Sequence, residues 1–275
     1  CDWSSDVCSS DLGVVGMAAE LQSDPMVGAR GIMTTDTHPK AFSAKVGDAT
    51  ITWIAKGAGM IEPNMATMLA YVFTDAKLDA AALDGMLRRA VDVSFNMCSV
   101  DTDTSTSDTC AILANGLAGA VDAVAFEAAL TTGCIRMAET IARDGEGAKH
   151  LIRVRVRGAK DTAEAKVIAK SVVNSPLVKT MVAGADPNVG RLLMAIGKCF
   201  TATIDRGSTE CWINGHHVVT KGTRAAFEDA DVRGALGGEV VEIAITLGVG
   251  AGEATAFGCD LTHGYIDENA AYYSS

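Results

Sequence analysis

In the stretch ATITWIAKGAGMIEPNMATMLAYVFT, Ala49 to Thr74, an alternating segment runs into a glycine-rich loop and leaves it as a second apolar segment. Ile51, Trp53 and Ala55 alternate with Thr50, Thr52 and Ile54, the period of a half-buried β-strand. Upstream, FSAKV and the Gly47-Asp48 pair supply the other arm and a tight two-residue turn, which predicts a hairpin over 41–55. TMLAYVFT, after the loop, reads as a further strand.

Working outward, Leu83, Met86, Leu87, Ala90 and Val91 recur at helical spacing within 78–91. Phe126, Leu130, Cys134, Met137 and Ile141 do so within 124–142. Residues 13–21 read as a short helix, and 163–173 as another, stopped by Asn174-Ser175-Pro176. The last third is β-rich: CFTATI (199–204), a hairpin CWINGHHVV turning at Asn214-Gly215, and VVEIAITL (240–247). Strands and helices come in blocks without steady βαβ alternation. That predicts an α+β fold of layered sheets with helices, with no doubly wound sheet.

The 275 residues are 48% hydrophobic, enough for a sizeable core, and no apolar run is long enough to span a membrane. The first twelve residues, CDWSSDVCSSDL, differ in composition from the rest and resemble translated sequencing adapter, so 1–12 is read as an artefact outside the fold. The net charge is −11; without Asp2, Asp6 and Asp11 the remainder carries 23 basic and 31 acidic residues, or −8. This balance argues against a nucleic-acid partner, which needs clustered Lys and Arg. Cys98, Cys110, Cys134, Cys199, Cys211 and Cys259 are scattered without CxxC spacing, so they read as core residues in a reducing, cytoplasmic setting, and no metal site is expected.

Several motifs are weighed and set aside. GVGAGE (248–253) fits neither nucleotide-binding glycine pattern and reads as a turn between strands. His216 and His217 fall on opposite faces of a hairpin arm. Arg153, Arg155 and Arg157 share one face of LIRVRVRG, read as a solvated strand face. DTDTSTSDTC (101–110) suits caps and Asx-turns better than calcium, since the EF-hand glycine and glutamate are missing.

Thr67 remains. A threonine opening a strand can be plain β-propensity. The sharper reading is an N-terminal nucleophile: cleavage of Ala66-Thr67 frees an α-amino group, of pKa about 7.7 to 8.0, that can deprotonate the Thr67 hydroxyl. The cut would begin with attack of the Thr67 Oγ on the Ala66 carbonyl and end with hydrolysis of the resulting ester.

KGAGMIEPNMATML, with IMTTDTHPK, VDTDTSTSDT, DGEGAKHLI, NSPLVKT and DLTHGYIDENAAYYS, resembles the ornithine acetyltransferase (glutamate N-acetyltransferase) family of arginine biosynthesis, over nearly everything after residue 12. The resemblance implies an aminopeptidase-like N-terminal-nucleophile fold and self-cleavage into α and β chains, here 13–66 and 67–275. It also implies transfer of the acetyl group of N-acetylornithine to glutamate through acetyl-Thr67. The substrate-binding positions it implies are Thr34, Lys56, Thr67, Glu146, Asn269 and Ser274, with the register of Ser274 against Ser275 open. It implies no cofactor, with acetyl-CoA a candidate second donor, and an assembly of two α and two β chains.

Two departures accompany the resemblance. DPNVGR carries Val189 where the family usually has tryptophan, a change of packing. The family's α chain begins upstream and carries a Thr-Gly oxyanion pair with no match here, so an N-terminally truncated and impaired enzyme is expected. Two alternatives are a related amidohydrolase that uses water as acceptor and a non-catalytic subunit.

Overall fold

The hairpin expected from the alternation is present. β1 (Lys40–Val46) and β2 (Ala49–Lys56) pair antiparallel, and Gly47 makes the turn at φ +56°. Ile51, Trp53 and Ala55 are buried, as the period-2 pattern requires. A computed structural model describes residues 22–62, 68–104 and 108–271. The stretch 1–12, the helix expected over 13–21, Ala66, Thr67 and Ser274 lie outside the described residues.

Ahead of β1 stands α1 (Pro25–Gly31), with proline in its first turn and Asp24 capping the Met26 amide. After the glycine-rich loop, β3 (Leu69–Lys77) pairs antiparallel with β2. The chain then makes α2 (Ala80–Asp92), capped by Asp79, and the short β4 (Cys98–Ser99), and returns as β5 (Thr109–Ala120), parallel to β3. The first sheet therefore has the order β1-β2-β3-β5.

α3 (Ala123–Arg143), capped by Asp122, buries the expected stripe of Phe126, Leu130, Cys134, Met137 and Ile141. At Gly133 it meets the first sheet so closely that an added Cβ would lie 2.1 Å from the Trp53 ring. The second sheet uses β4 with β6 (Leu151–Ala159), β7 (Glu210–Ile213), β8 (His216–Thr220), β9 (Thr223–Arg224), β10 (Val240–Thr246) and β11 (Gly252–Cys259). Its order is β4-β11-β6-β10-β7-β8-β9, with parallel and antiparallel pairs mixed.

Arg153 of β6 pairs with Glu139 of α3 at 2.6 Å, so α3 lies on the arginine face of this sheet. α4 (Thr162–Val173) covers the other face, where a side chain on Gly258 would strike Val173. Sheets and helices thus stack in layers around one continuous apolar core. The arginine face is internally neutralised, Arg155 reaching Glu242 and Arg157 reaching Glu253, both at 3.6 Å.

Three local readings change. CFTATI is not a strand: Phe200 and Ala202 donate to Lys198 and Cys199 in tight turns, and the Thr203 amide goes to the Glu164 carboxylate, which leaves no ladder. Ser175-Pro176 ends α4 and also starts α5 (Pro176–Ala183), Ser175 capping Val178. α6 (Gly190–Gly197) follows, with Val189 buried at its start, then α7 (Asp229–Leu236) and α8 (His263–Ala271). The Asn214-Gly215 turn forms with both residues at positive φ, and His217 stacks on Trp212 while bonding Glu210 at 2.7 Å.

Candidate active site

Lys56 is the last residue of β2, and the loop after it is held from three sides. The Gly57 amide, at φ +154°, donates to Asp36 Oδ1 at 2.8 Å. The Met60 and Ile61 amides donate to the two oxygens of Asp101 at 2.7 and 2.9 Å, and the Ile61 carbonyl accepts from Val100 at 2.7 Å. On the third side, the Glu146 amide donates to the Ala58 carbonyl at 3.0 Å. Asp101 therefore caps a loop, as the reading of DTDTSTSDTC favoured, although the loop it caps lies about forty positions upstream.

Thr34 reaches this loop through Asp36, whose Oδ2 accepts the Thr34 amide at 3.1 Å while its Oδ1 holds Gly57. Burial alone would raise Asp36; hydrogen bonds from Gly57, Lys40 and Thr34 outweigh it and hold the carboxyl below its ordinary range. Lys40 is buried and bonded to Asp36 and Asp144, each at 2.5 Å.

Glu146 stands just past the C-terminus of α3. Its carboxylate lies over Gly59, where an added Cβ would come within 2.3 Å of it. Asn269 of α8 donates to Glu146 Oε2 at 2.8 Å. The helix is seated by a close backbone approach: Gly147, at φ +68°, lies so near Tyr265 that a Cβ would fall 2.3 Å from its amide nitrogen. Tyr265 itself donates to Asp101 Oδ2 at 3.4 Å; burial and then the charge of Asp101 push its hydroxyl up to about 12.

Thr34, Lys56, Glu146 and Asn269 are thus gathered on one loop system from segments more than two hundred residues apart. Among the described residues neither Lys56 nor Glu146 has an oppositely charged side chain within ion-pair distance. The loop offers one cation and one anion, with neutral donors beside them. Thr67, Ala66 and Ser274 lie outside the described residues.

Sequence reasoning passed over Asp36, Lys40 and Asp144, because Asp144 lies about a hundred residues from the other two and the group leaves no local pattern. It also passed over Asp108, which accepts the Met68 amide through Oδ1 and keeps Oδ2 buried without a partner among the described residues. Burial, partly offset by the Met68 amide and the charge of Lys56, pushes Asp108 up to about 6. The density of carboxylates in DTDTSTSDT was the one signal that could have found it.

Known proteins resemble this chain in sequence and in fold. The ArgJ family model matches residues 10–274. Glutamate N-acetyltransferase Oat2 of Streptomyces clavuligerus is 51% identical over 249 residues, covering 89% of this chain and 63% of that protein. Arginine biosynthesis bifunctional protein ArgJ 2 of Clostridium acetobutylicum is 51% identical over 245 residues, covering 88% of this chain and 63% of its own length. The chain thus spans just under two thirds of the length of these two curated relatives. A crystal structure of arginine biosynthesis bifunctional protein ArgJ from Bacillus halodurans, 37% identical, superposes with a TM-score of 0.72 over 75% of this chain and 100% of that one. With the layered α+β fold shared and the family model matched over residues 10–274 of the chain, this chain belongs to the ArgJ family.

Proposed function

We propose that the protein is a glutamate N-acetyltransferase that moves the acetyl group of N-acetylornithine to glutamate, in arginine biosynthesis, by way of acetyl-Thr67. The observation that carries this reading is the pair Lys56 and Glu146, opposite charges without ionic partners among the described residues, at one glycine-rich loop. Both substrates are amino acids, with a carboxylate for the Lys56 ammonium and, in ornithine and glutamate, an ammonium for the Glu146 carboxylate. Thr34 and Asn269 add neutral hydrogen bonds, and Ser274 completes the set.

The chemistry runs as a double displacement. Self-cleavage at Ala66-Thr67 makes 13–66 and 67–275 the two chains of the working enzyme. The freed amine of Thr67 takes the proton of its own hydroxyl, and the alkoxide attacks the acetyl carbonyl. Ornithine leaves, and the glutamate amine then takes the acetyl group from Thr67, regenerating the hydroxyl. The alignment of the whole Bacillus halodurans chain with three quarters of this one favours such a division, since 67–275 is 209 of 275 residues.

The relatives' description as bifunctional supports acetyl-CoA as a second donor, and no metal or other cofactor is needed for either route. An assembly of two α and two β chains is supported by the outer face of the first sheet, where Phe73, Leu113 and Leu117 are exposed. A reducing, cytoplasmic location fits free cysteines, and no described helix is long and apolar enough to cross a membrane. The test is transfer of a labelled acetyl group from N-acetylornithine to glutamate. Glu146→Gln should weaken binding by about 1.5–3 kcal/mol, the value of a charge-assisted hydrogen bond. Unaltered kinetics in that variant would remove Glu146 from the site.

A further inference from the structure

The charged group best shielded from water near the site touches one proposed substrate-binding position, through the Thr34 amide on Asp36, and none by a side chain. Lys40, Asp36 and Asp144 have side chains 0%, 0% and 3% exposed, and the ammonium sits 2.5 Å from an oxygen of each carboxylate. Each carboxylate then spends its remaining hydrogen bonds on a different part of the site. Asp36 accepts from Thr34 and Gly57, the residue after Lys56. Asp144 accepts from the Thr37 amide at 3.1 Å and from the Thr37 hydroxyl, and lies 3.2 Å from His38 Nδ1. Its own amide closes the last turn of α3, two residues before Glu146.

Two buried carboxylates beside one ammonium are costly to keep from water unless their oxygens are hydrogen-bonded. Here the amides of Thr34, Thr37 and Gly57 and the Thr37 hydroxyl supply those bonds. The charges are therefore spent on joining three separate chain segments, the loop 34–39, the glycine-rich loop and the end of α3.

We infer that Lys40, with Asp36 and Asp144, is a positioning centre for substrate binding: it sets Thr34, Lys56 and Glu146 in one register and takes no part in the bond-breaking steps. This rests on the acetyl-transfer reading above. The consequence is a separation of effects. Asp144 anchors the 34–39 loop, whereas the Asp36–Gly57 bond holds the loop that leads to the cut. Loss of the Asp144 charge should loosen the substrate site and leave the substrate-free cleavage of Ala66-Thr67 alone.

The experiment uses the full chain and the near-isosteric Asp144→Asn. Calorimetric titration with N-acetylornithine should show affinity reduced roughly 10- to 100-fold, the size of one displaced charge-assisted hydrogen bond. The half-life of self-cleavage, followed by intact mass, should stay within about twofold of wild type. Wild-type affinity in the variant overturns the inference, and so does a parallel loss of affinity and cleavage, which marks general damage. Lys40→Met, which strands two buried carboxylates, should lower Tm sharply; an unaltered Tm with unaltered affinity also overturns it. A wild-type chain that does not bind N-acetylornithine would instead sink the functional reading beneath it.

Discussion

Asp36 and Asp108 both hold backbone amides flanking the glycine-rich loop, yet their carboxyls move in opposite directions. Asp36 is depressed, so its stabilising effect is complete above the ordinary carboxylate pKa and is lost as pH falls through the folded value. Asp108 is raised to about 6 against an ordinary 3.8, so the folded state binds the extra proton and its ionisation destabilises the fold as pH rises from about 4 past 6. Asn in place of Asp108 keeps an acceptor for Met68 and removes the charge. In thermal unfolding, Asp108→Asn should exceed wild type at pH 7 by about 1 kcal/mol, after discounting for solvent screening, with the gain gone near pH 4. Equal stability at both pH values would contradict the assignment. Gly59→Ala makes a second residue-scale prediction, because its Cβ would fall on the Glu146 carboxylate. Displacing that group by about 1 Å should lower kcat/KM up to about 100-fold with little change in Tm. The proposed substrate-binding positions were legible as motifs. Their supports were not, because Asp101 with Met60, or Lys40 with Asp144, meet only once the chain is folded.

At the scale of elements, α8 stands apart from the other described α-helices. It buries no residue, and polar contacts through Asn269 and Tyr265 hold it over Glu146. Its amides should exchange with solvent much faster than those of β6, whose Ile152, Val154 and Val156 are fully buried, and should slow when N-acetylornithine is bound. Equal exchange rates in the two elements would show that α8 is anchored by more than these bonds. The hairpins at 47–48 and 214–215 and helices α2, α3 and α4 were readable because period and caps agree. CFTATI was misread because its β-branched residues satisfy β-propensity while their amides find turn and carboxylate partners. α5 and α6 are eight residues each, too short for a clear helical period, and only the Ser175-Pro176 cap announced the first.

For the whole molecule, block order was enough to give layered α+β sheets, but not the parallel return of β5 beside β3 or the seven-strand order of the second sheet. Those depend on which sheet α2 and α3 pack against, which no local pattern records. The layering is what brings the end of β2, the end of α3 and α8 to one place, so the fold and the proposed chemistry meet at the glycine-rich loop. The most direct test of that chemistry is intact mass spectrometry of the wild-type chain and Thr67→Ala after incubation with N-acetylornithine. The account predicts a wild-type fragment beginning at Thr67 and heavier by one acetyl group, which glutamate discharges, and a Thr67→Ala chain that stays whole and unacetylated. An uncut wild-type chain, or a Thr67→Ala chain that is cut and acetylated as efficiently, would contradict it.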